Sequence, residues 1–489
     1  MSIDCSKVVL ILDDREFPSG EVRSLIGARR FGDIILKRRS LVDRFRDSLP
    51  DWARDGWVHL RTEDDLRSLR VRLEESPEDC AIFVVAASAG FGEIDQLRQL
   101  LERLPFAEED FTDRMYRPLI VFLRNAHRLV GEWPAFRAAP FHCWERGWQD
   151  CRRLQSLRPL DLDDIRDFLT FACGATSPRH FNNAHIDDFF FTKRSKDKHK
   201  MLQEYSYYGL VPERMRPWLV ESFDYADEGD TASYKMLRYY LADAGLQWVH
   251  GAFDADTFAV FVDRLLHFVV QRPRQESHEQ KVAEMARDLF VDKLKRRASE
   301  FLALEEGVRI DALAASSTPE LALACQMDRF LRLYARHGAS FAGNHLVVGH
   351  GDPCFSNILY DQRRYLLKLV DPRGAISANE LWTHPLYDLC KISHSILGDY
   401  DFINGGLYRV GFADSNELVL HLDYANQGEL KLIFRQRLAR LGYDINAVRL
   451  GEASLFLSML PLHIDFPNKV LAFMLQARRI LDEVESGRN

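Results

Sequence analysis

Three oxygen-bearing side chains in one thirty-residue stretch are the residues best placed by type and spacing to do chemistry. In His345–Gly374, HLVVGHGDPCFSNILYDQRRYLLKLVDPRG, an apolar segment, Leu346–Val348, leads into His350-Gly351-Asp352. Asn357 follows Asp352 by five positions, and a second apolar segment, Tyr365–Val370, delivers Asp371 nineteen positions after Asp352. Phosphoryl transfer from ATP asks for such a set. It needs a carboxylate to orient the acceptor hydroxyl and take its proton, and oxygen ligands that hold Mg²⁺ against the phosphates. Chance surface loops would account for a lone His-Gly-Asp. They do not account for the triple spacing with apolar strands on both sides.

This stretch resembles the aminoglycoside phosphotransferase and choline kinase superfamily, whose signature is H-G-D-x-x-x-x-N with a later strand-end Asp. Within it, Asp352-Pro-Cys-Phe-Ser-Asn-Ile-Leu-Tyr and Asp371-Pro-Arg-Gly resemble a bacterial branch linked to capsule or lipopolysaccharide synthesis. The resemblance covers roughly residues 178–480. It implies Asp352 as catalytic base, Asn357 and Asp371 as metal ligands, and ATP with Mg²⁺ as the cofactors. Asp371-Pro-Arg-Gly departs from the Asp-Phe-Gly of protein kinases, so the Phe switch of that fold is not carried over. Tyr387-Asp388-Leu389-Cys390-Lys391-Ile392-Ser393-His394-Ser395 and Pro461–Asp465 resemble the same branch. Asp388 is expected to hydrogen-bond the catalytic loop rather than bind substrate, and His350 to brace that loop. His394 fits a core or a pocket equally.

A nucleotide needs a cation for its phosphates, and Lys193 stands at the end of the apolar segment Phe189–Thr192, where such a lysine belongs. Met201, Glu204, Tyr205 and Tyr208 share one helical stripe, so Glu204 faces inward and needs a partner. Lys193 is the natural one, with Lys196 the alternative; Lys196, Lys198 and Lys200 otherwise read as a solvated face. No G-x-G-x-x-G precedes Lys193. Arg179-His180-Phe181-Asn182-Asn183 takes that place, and Asn tolerates the left-handed geometry that Gly usually supplies. Ser233–Leu237 reads as a strand entering a hinge, which would bring backbone near Met236–Arg238 to the adenine, or as an ordinary core strand.

The elements that position these residues follow from hydrophobic pattern. Short apolar runs at Val8–Leu12, Trp57–Leu60, Ala81–Ala87 and Pro118–Leu123 alternate with helical segments, Val22–Phe31, Ser40–Ser48, Asp64–Glu75 and Glu93–Leu104. That order predicts an α/β N-terminal domain over 1–150 with a mainly parallel sheet. A connector, 151–178, leads to an α+β protein-kinase-like bilobal domain. Its strand-containing small lobe spans 179–240, and its helical large lobe 241–489 includes long helical segments at Leu241–Gln271 and Gln275–Glu305. The strand–helix order of 1–150 is similar to nucleotide-sugar nucleotidyltransferase domains. Leu12-Asp13-Asp14-Arg15-Glu16, however, lacks their glycines, and Asp13-Asp14 is not D-x-D. Ser88–Gly92 reads as a turn, with a small anion nest as the alternative.

The 489 residues are 46% hydrophobic and 28% charged, a globular composition long enough for two or three domains. A net charge of −8 gives no reason to expect nucleic acid or an anionic membrane as partner. The eight cysteines form no C-x-x-C pair, and neither a signal peptide nor a membrane span is expected, which points to the cytoplasm. The expected activity is ATP- and Mg-dependent phosphorylation of a hydroxyl on a small-molecule acceptor, a sugar, polyol or related alcohol. A nucleotide-binding pseudokinase, or a kinase joined to an active nucleotidyltransferase, are the rival readings. Nothing in the sequence sets the oligomeric state.

Overall fold

The computed structural model describes residues 8–36, 38–92, 94–143, 150–154, 158–175, 182–423 and 427–487. The chain divides into two compact units, Met1–Ser177 and Pro178–Asn489.

In the first unit the apolar runs become strands β1 (Val8–Asp13), β2 (Val58–Leu60) and β3 (Ala81–Ala86), which pair in parallel in the order β2-β1-β3. All of β1 and β3 is buried, which explains why those runs lack alternation. Helix α1 (Glu63–Glu74) follows β2; a reciprocal Thr62–Asp65 capping box starts it, and Leu66, Leu69 and Leu73 form its buried stripe. Beyond β3 the sheet departs from the mainly parallel expectation. After the two-residue strand β4 (Ala89–Gly90) come β5 (Phe111–Thr112) and β6 (Ile120–Leu123), and β6 runs antiparallel to both β3 and β5. The short connection 113–119 permits only a hairpin. The Asp113 carboxylate closes it by accepting the amides of Leu119 (2.9 Å) and Ile120 (3.0 Å).

The segment read as a connector, 151–178, contributes to this unit. Strand β7 (Arg152–Arg153) extends the sheet beside β5, β8 (Leu160–Asp161) pairs with β4, and helix α2 (Ile165–Ala175) buries Phe168, Leu169, Phe171 and Ala172. Within Ser88–Gly92, Ala89 and Gly90 pair with β8, and the Ser88 carbonyl oxygen accepts the Leu162 amide at 2.9 Å.

The second unit opens with a four-stranded antiparallel sheet. Strands β9 (Asn182–Ile186), β10 (Phe190–Ser195), β11 (Ser222–Glu228) and β12 (Thr231–Leu237) lie in the order β9-β10-β12-β11. Helix α3 (Lys198–Leu210), capped by Asp197, buries Met201, Glu204 and Tyr207. Met201 joins Val220, Ala232, Tyr234 and Met236 in one apolar cluster. The remainder is mostly helical. Leu241–Gln271 is two helices rather than one: α4 (Ala244–Val249) ends before Gly251 at φ 69°, and a capping box at Asp254 starts α5 (Ala255–Gln271). Gln275 is not helical either. It lies in β13 (Arg274–Glu276), paired with β14 (His345–Val348), and the helices resume at Glu279 and continue into α6 (Lys293–Leu302). Strands β15 (Ile358–Asp361) and β16 (Leu366–Leu369) form a hairpin, and helix α7 (Leu386–Ile396) follows. Among the described residues no helix is long and apolar enough to cross a membrane.

Two features join α3 to the segment after Asp371. The Ala375 amide donates to the Gln203 carbonyl oxygen at 3.0 Å. Gly374, at φ 86°, comes so close to α3 that a Cβ there would stand 2.5 Å from the Gln203 carbonyl carbon. Gly374→Ala is therefore expected to lower stability by about 1–3 kcal/mol, through left-handed strain plus displacement of α3. Urea unfolding measures it, and an unchanged midpoint would contradict this packing.

Candidate functional site

The loop after β14 is held by one buried carboxylate. Asp388, near the start of α7, accepts the amide of His350 at Oδ2 (2.9 Å) and that of Gly351 at Oδ1 (2.8 Å). Arg272 donates to the same Oδ2 at 2.8 Å and to Pro385 O at 2.8 Å. Tyr207 of α3 donates its hydroxyl to Gly349 O at 2.8 Å. His350 is fully buried; burial pulls its pKa down more than nearby Asp388, Asp352 and Asp371 push it up. Its Nδ1 faces the Asp352 amide at 3.3 Å, so the ring acts as a neutral acceptor inside the loop. Asp388 and His350 thus touch loop backbone.

Asp352 itself is open, with 41% of its side chain exposed, and its Oδ1 lies 2.9 Å from Lys391 Nζ. Burial of the carboxyl raises its pKa, but the attraction and hydrogen bond of Lys391, with His350 and Lys293, outweigh this and hold it below the usual carboxylate range. Lys391 is shifted up reciprocally: burial opposes its charge and Asp352 overcomes that. Asn357 donates its side-chain amide to the Asp352 carbonyl oxygen at 2.9 Å, which leaves Asn357 Oδ1 as an acceptor.

Lys193 lies within β10 rather than at a strand end, and its side chain is 8% exposed. Nζ sits 2.7 Å from Glu204 Oε2 and 3.0 Å from Asp371 Oδ1. Tyr234 donates to Glu204 Oε2 at 2.9 Å, and Lys200 stands 3.7 Å from Oε1. Burial disfavours the Lys193 ammonium, yet Asp371 and Glu204 together raise its pKa. The structure therefore brings Lys193, Glu204 and Asp371 into one cluster, and Asp352 and Asn357 into one loop. Lys196, the alternative partner for Glu204, forms no ion pair with it.

Met236 and Arg238 are placed differently. Met236 is ladder-paired to Phe191 on one side and Ser222 on the other, with its side chain in the apolar cluster. The Arg238 amide donates to Phe189 O at 2.8 Å and its guanidinium to Asp187 O at 2.8 Å. The Arg238 amide is thus taken up by Phe189. Of the segment expected to cover phosphates, Arg179, His180 and Phe181 lie outside the described residues. His394 is a core residue, stacked on Tyr400 at 4.3 Å and against Phe456 at 4.2 Å.

The sequence by itself gives no individual role to Lys391, Lys293, Arg373, Arg272, Tyr207 or Tyr234. Lys391 left a trace, as the lone Lys or Arg in an otherwise buried α7. Arg373 lies in the same stretch as Asp352, two positions after Asp371; the other four come from elements far apart in sequence, and no local pattern joins them to Asp352.

Among the described residues no group of three His, Cys, Asp or Glu could hold a metal by protein ligands alone. Mg²⁺ does not require one, since one or two protein oxygens suffice when phosphates and water complete the shell. Asp371, 42% exposed, and Asn357 Oδ1 are hard oxygen donors of that kind, so these residues fit the ion.

In the first unit the acidic pair after β1 is consumed internally. Arg15 donates to both oxygens of Asp13 (2.8 and 2.7 Å) and to Phe136 O (2.6 Å). Asp14 accepts from the Gly32 amide at 2.9 Å and faces His59 at 3.2 Å and Arg61 at 3.4 Å. Neither carboxylate is exposed.

No protein-family model matches the chain, and no curated protein matches it. Solved structures do. A thermostable mutant of aminoglycoside phosphotransferase APH(4)-Ia, in its apo form, aligns at 10% identity over 64% of this chain and 93% of its own, with a TM-score of 0.38. A ternary complex of that mutant enzyme with AMP-PNP and hygromycin B aligns at 11% identity over 63% and 91%, TM-score 0.40. Aminoglycoside phosphotransferase APH(3'')-Id from Streptomyces rimosus, with ADP and streptomycin, aligns at 16% identity over 61% and 98%, TM-score 0.33.

Asp388→Ala removes the acceptor of two loop amides and leaves Arg272, whose side chain is 1% exposed, as a buried unpaired cation. The expected cost is roughly 3–5 kcal/mol, read as a drop in denaturation midpoint. A variant as stable as the parent would mean that Asp388 does not hold the loop.

Proposed function

We propose that the second unit is an ATP- and Mg-dependent phosphotransferase acting on a hydroxyl of a small molecule, a sugar or related alcohol. The observation that carries the reading is the convergence of Lys193, Glu204 and Asp371, with an open Asp352 on a loop that also bears Asn357. Lys193, held in place by Glu204, binds nucleotide phosphate. Asn357 Oδ1 and Asp371 would hold Mg²⁺, which when bound would neutralise phosphate charge. Asp352 accepts the proton of the acceptor hydroxyl as its oxygen attacks the γ-phosphorus. The bond from that phosphorus to the bridging oxygen breaks, and ADP leaves with the electron pair. Lys391 holds the Asp352 carboxyl below the usual carboxylate range, so it is ionised at neutral pH.

Asp388 and His350 position the loop without touching substrate. A role in surface-polysaccharide synthesis rests on sequence resemblance alone, that of Asp352–Tyr360, Asp371-Pro-Arg-Gly, Tyr387–Ser395 and Pro461–Asp465. The intact Lys193, Asp352, Asn357 and Asp371 set speaks against a pseudokinase. The internal use of Asp13, Asp14 and Arg15 speaks against nucleotidyl transfer by the first unit, which we read as a non-catalytic module.

The test is ATP consumption by the full chain with Mg²⁺ against sugars, polyols and amino alcohols. Asp352→Asn is expected to lower kcat by at least about 10²-fold with nucleotide affinity retained. Acceptor-dependent turnover that survives the substitution would remove Asp352 from the role of base.

A further inference from the structure

Phosphoryl transfer by Asp352, Asn357, Asp371 and Lys193, with Lys391 paired to Asp352, leaves two further cations, Lys293 and Arg373, without a task. Lys391 reaches Asp352 from α7, one helical turn after Asp388. Lys293, at the start of α6, is half-buried and donates to the Tyr387 hydroxyl at 3.0 Å. Arg373, from Asp371-Pro-Arg-Gly, is exposed, and its stem lies over Gly351: a Cβ built on Gly351 would stand 2.5 Å from Arg373 Cβ. The three cations act on one another. Burial lowers the Lys293 pKa, and Lys391 and Arg373 lower it further while the Tyr387 hydroxyl opposes them. Burial would raise the Tyr387 hydroxyl, but Lys293, Lys391 and Arg373 together bring it down.

Against these three cations stands one ion-paired carboxylate, Asp352. Among the described residues neither Lys293 nor Arg373 has a carboxylate within ion-pair distance. A half-buried ammonium beside two more cations, with only a phenol as partner, is unfavourable in the free protein. An anion relieves it, and ammonium, guanidinium fork and phenol hydroxyl together form a donor set suited to phosphate or carboxylate oxygens.

We propose that Lys293, Arg373 and Tyr387, with Lys391, bind an anionic group of the acceptor, so that the molecule phosphorylated is itself a phosphorylated or carboxylated sugar or polyol. The proposal rests on the phosphotransferase reading of Asp352 and adds the acceptor's charge to it. It disfavours cationic amino alcohols, which would meet like charge beside the reacting hydroxyl.

The experiment loads the full chain with ADP and Mg²⁺, which fills the nucleotide phosphate positions, and titrates it with inorganic phosphate, acetate, glycerol 3-phosphate, glycerol and choline. Saturable binding of at least one anion is expected, with none for glycerol or choline. Lys293→Met and Arg373→Met should each weaken that binding by about tenfold or more while ADP affinity is unchanged. Preference for phosphate over acetate, or the reverse, tells a phosphate ester from a carboxylate acceptor. No saturable anion binding, or binding indifferent to both substitutions, overturns the proposal. If the chain takes up no ADP, the kinase reading fails separately. The same titrations without nucleotide then still decide the anion site by its dependence on Lys293 and Arg373.

Discussion

A lysine ammonium with 8% of its side chain exposed must be matched by negative charge, and Lys193 is matched twice, by Glu204 and by Asp371. Glu204 is on α3, Lys193 on the adjacent β10, and Asp371 lies beyond β16, so one buried cation ties two neighbouring elements to a piece of chain 178 residues away in sequence. Removing either carboxylate would leave charge poorly compensated in a place of low polarizability, where such losses are large. The close approach of Gly374 to α3 and the Ala375 amide on Gln203 reinforce the same junction through backbone. A chain that satisfies this constraint brings Asp371 to Lys193, and the second loop, braced by Asp388, carries Asp352 and Asn357.

The two units treat their charges differently. In the first, Asp13 and Asp14 have no exposed side-chain surface and their oxygens are taken by Arg15, Gly32, His59 and Arg61. In the second, Asp371 and Asp352 are each about two-fifths exposed and paired to lysines, Lys193 and Lys391. A ligand can exchange with such a pair, because phosphate or Mg²⁺ can replace one member without stranding the other. It cannot enter the Asp13–Arg15 network without breaking bidentate bonds.

The Asp352–Asn357–Asp371 spacing was legible because its residues lie in one stretch, bounded by apolar strands that periodicity exposes. Glu204 was legible from its place on the inward stripe of α3, and that stripe demanded a cation. An apolar pattern ends the strand at Thr192 and puts Lys193 at its end, whereas the strand runs on to Ser195 through the polar Lys193 and Arg194. Strand direction was illegible for β6, because a buried run reads alike in either sense and only the short 113–119 connection decides. The joins within 241–305 were missed because capping at Asp254 and pairing of β13 interrupt a helical pattern that composition alone would continue. Lys293 and Arg272 act across the fold, and no local periodicity reports such contacts.

Equilibrium titration of the full chain with ATP in Mg²⁺, for the parent, Lys193→Met and Asp371→Asn, tests the central claim most directly. The account predicts saturable Mg-dependent binding by the parent, weakened by about tenfold or more in each variant. Binding by the parent that is indifferent to both substitutions, or no binding at all, would contradict it.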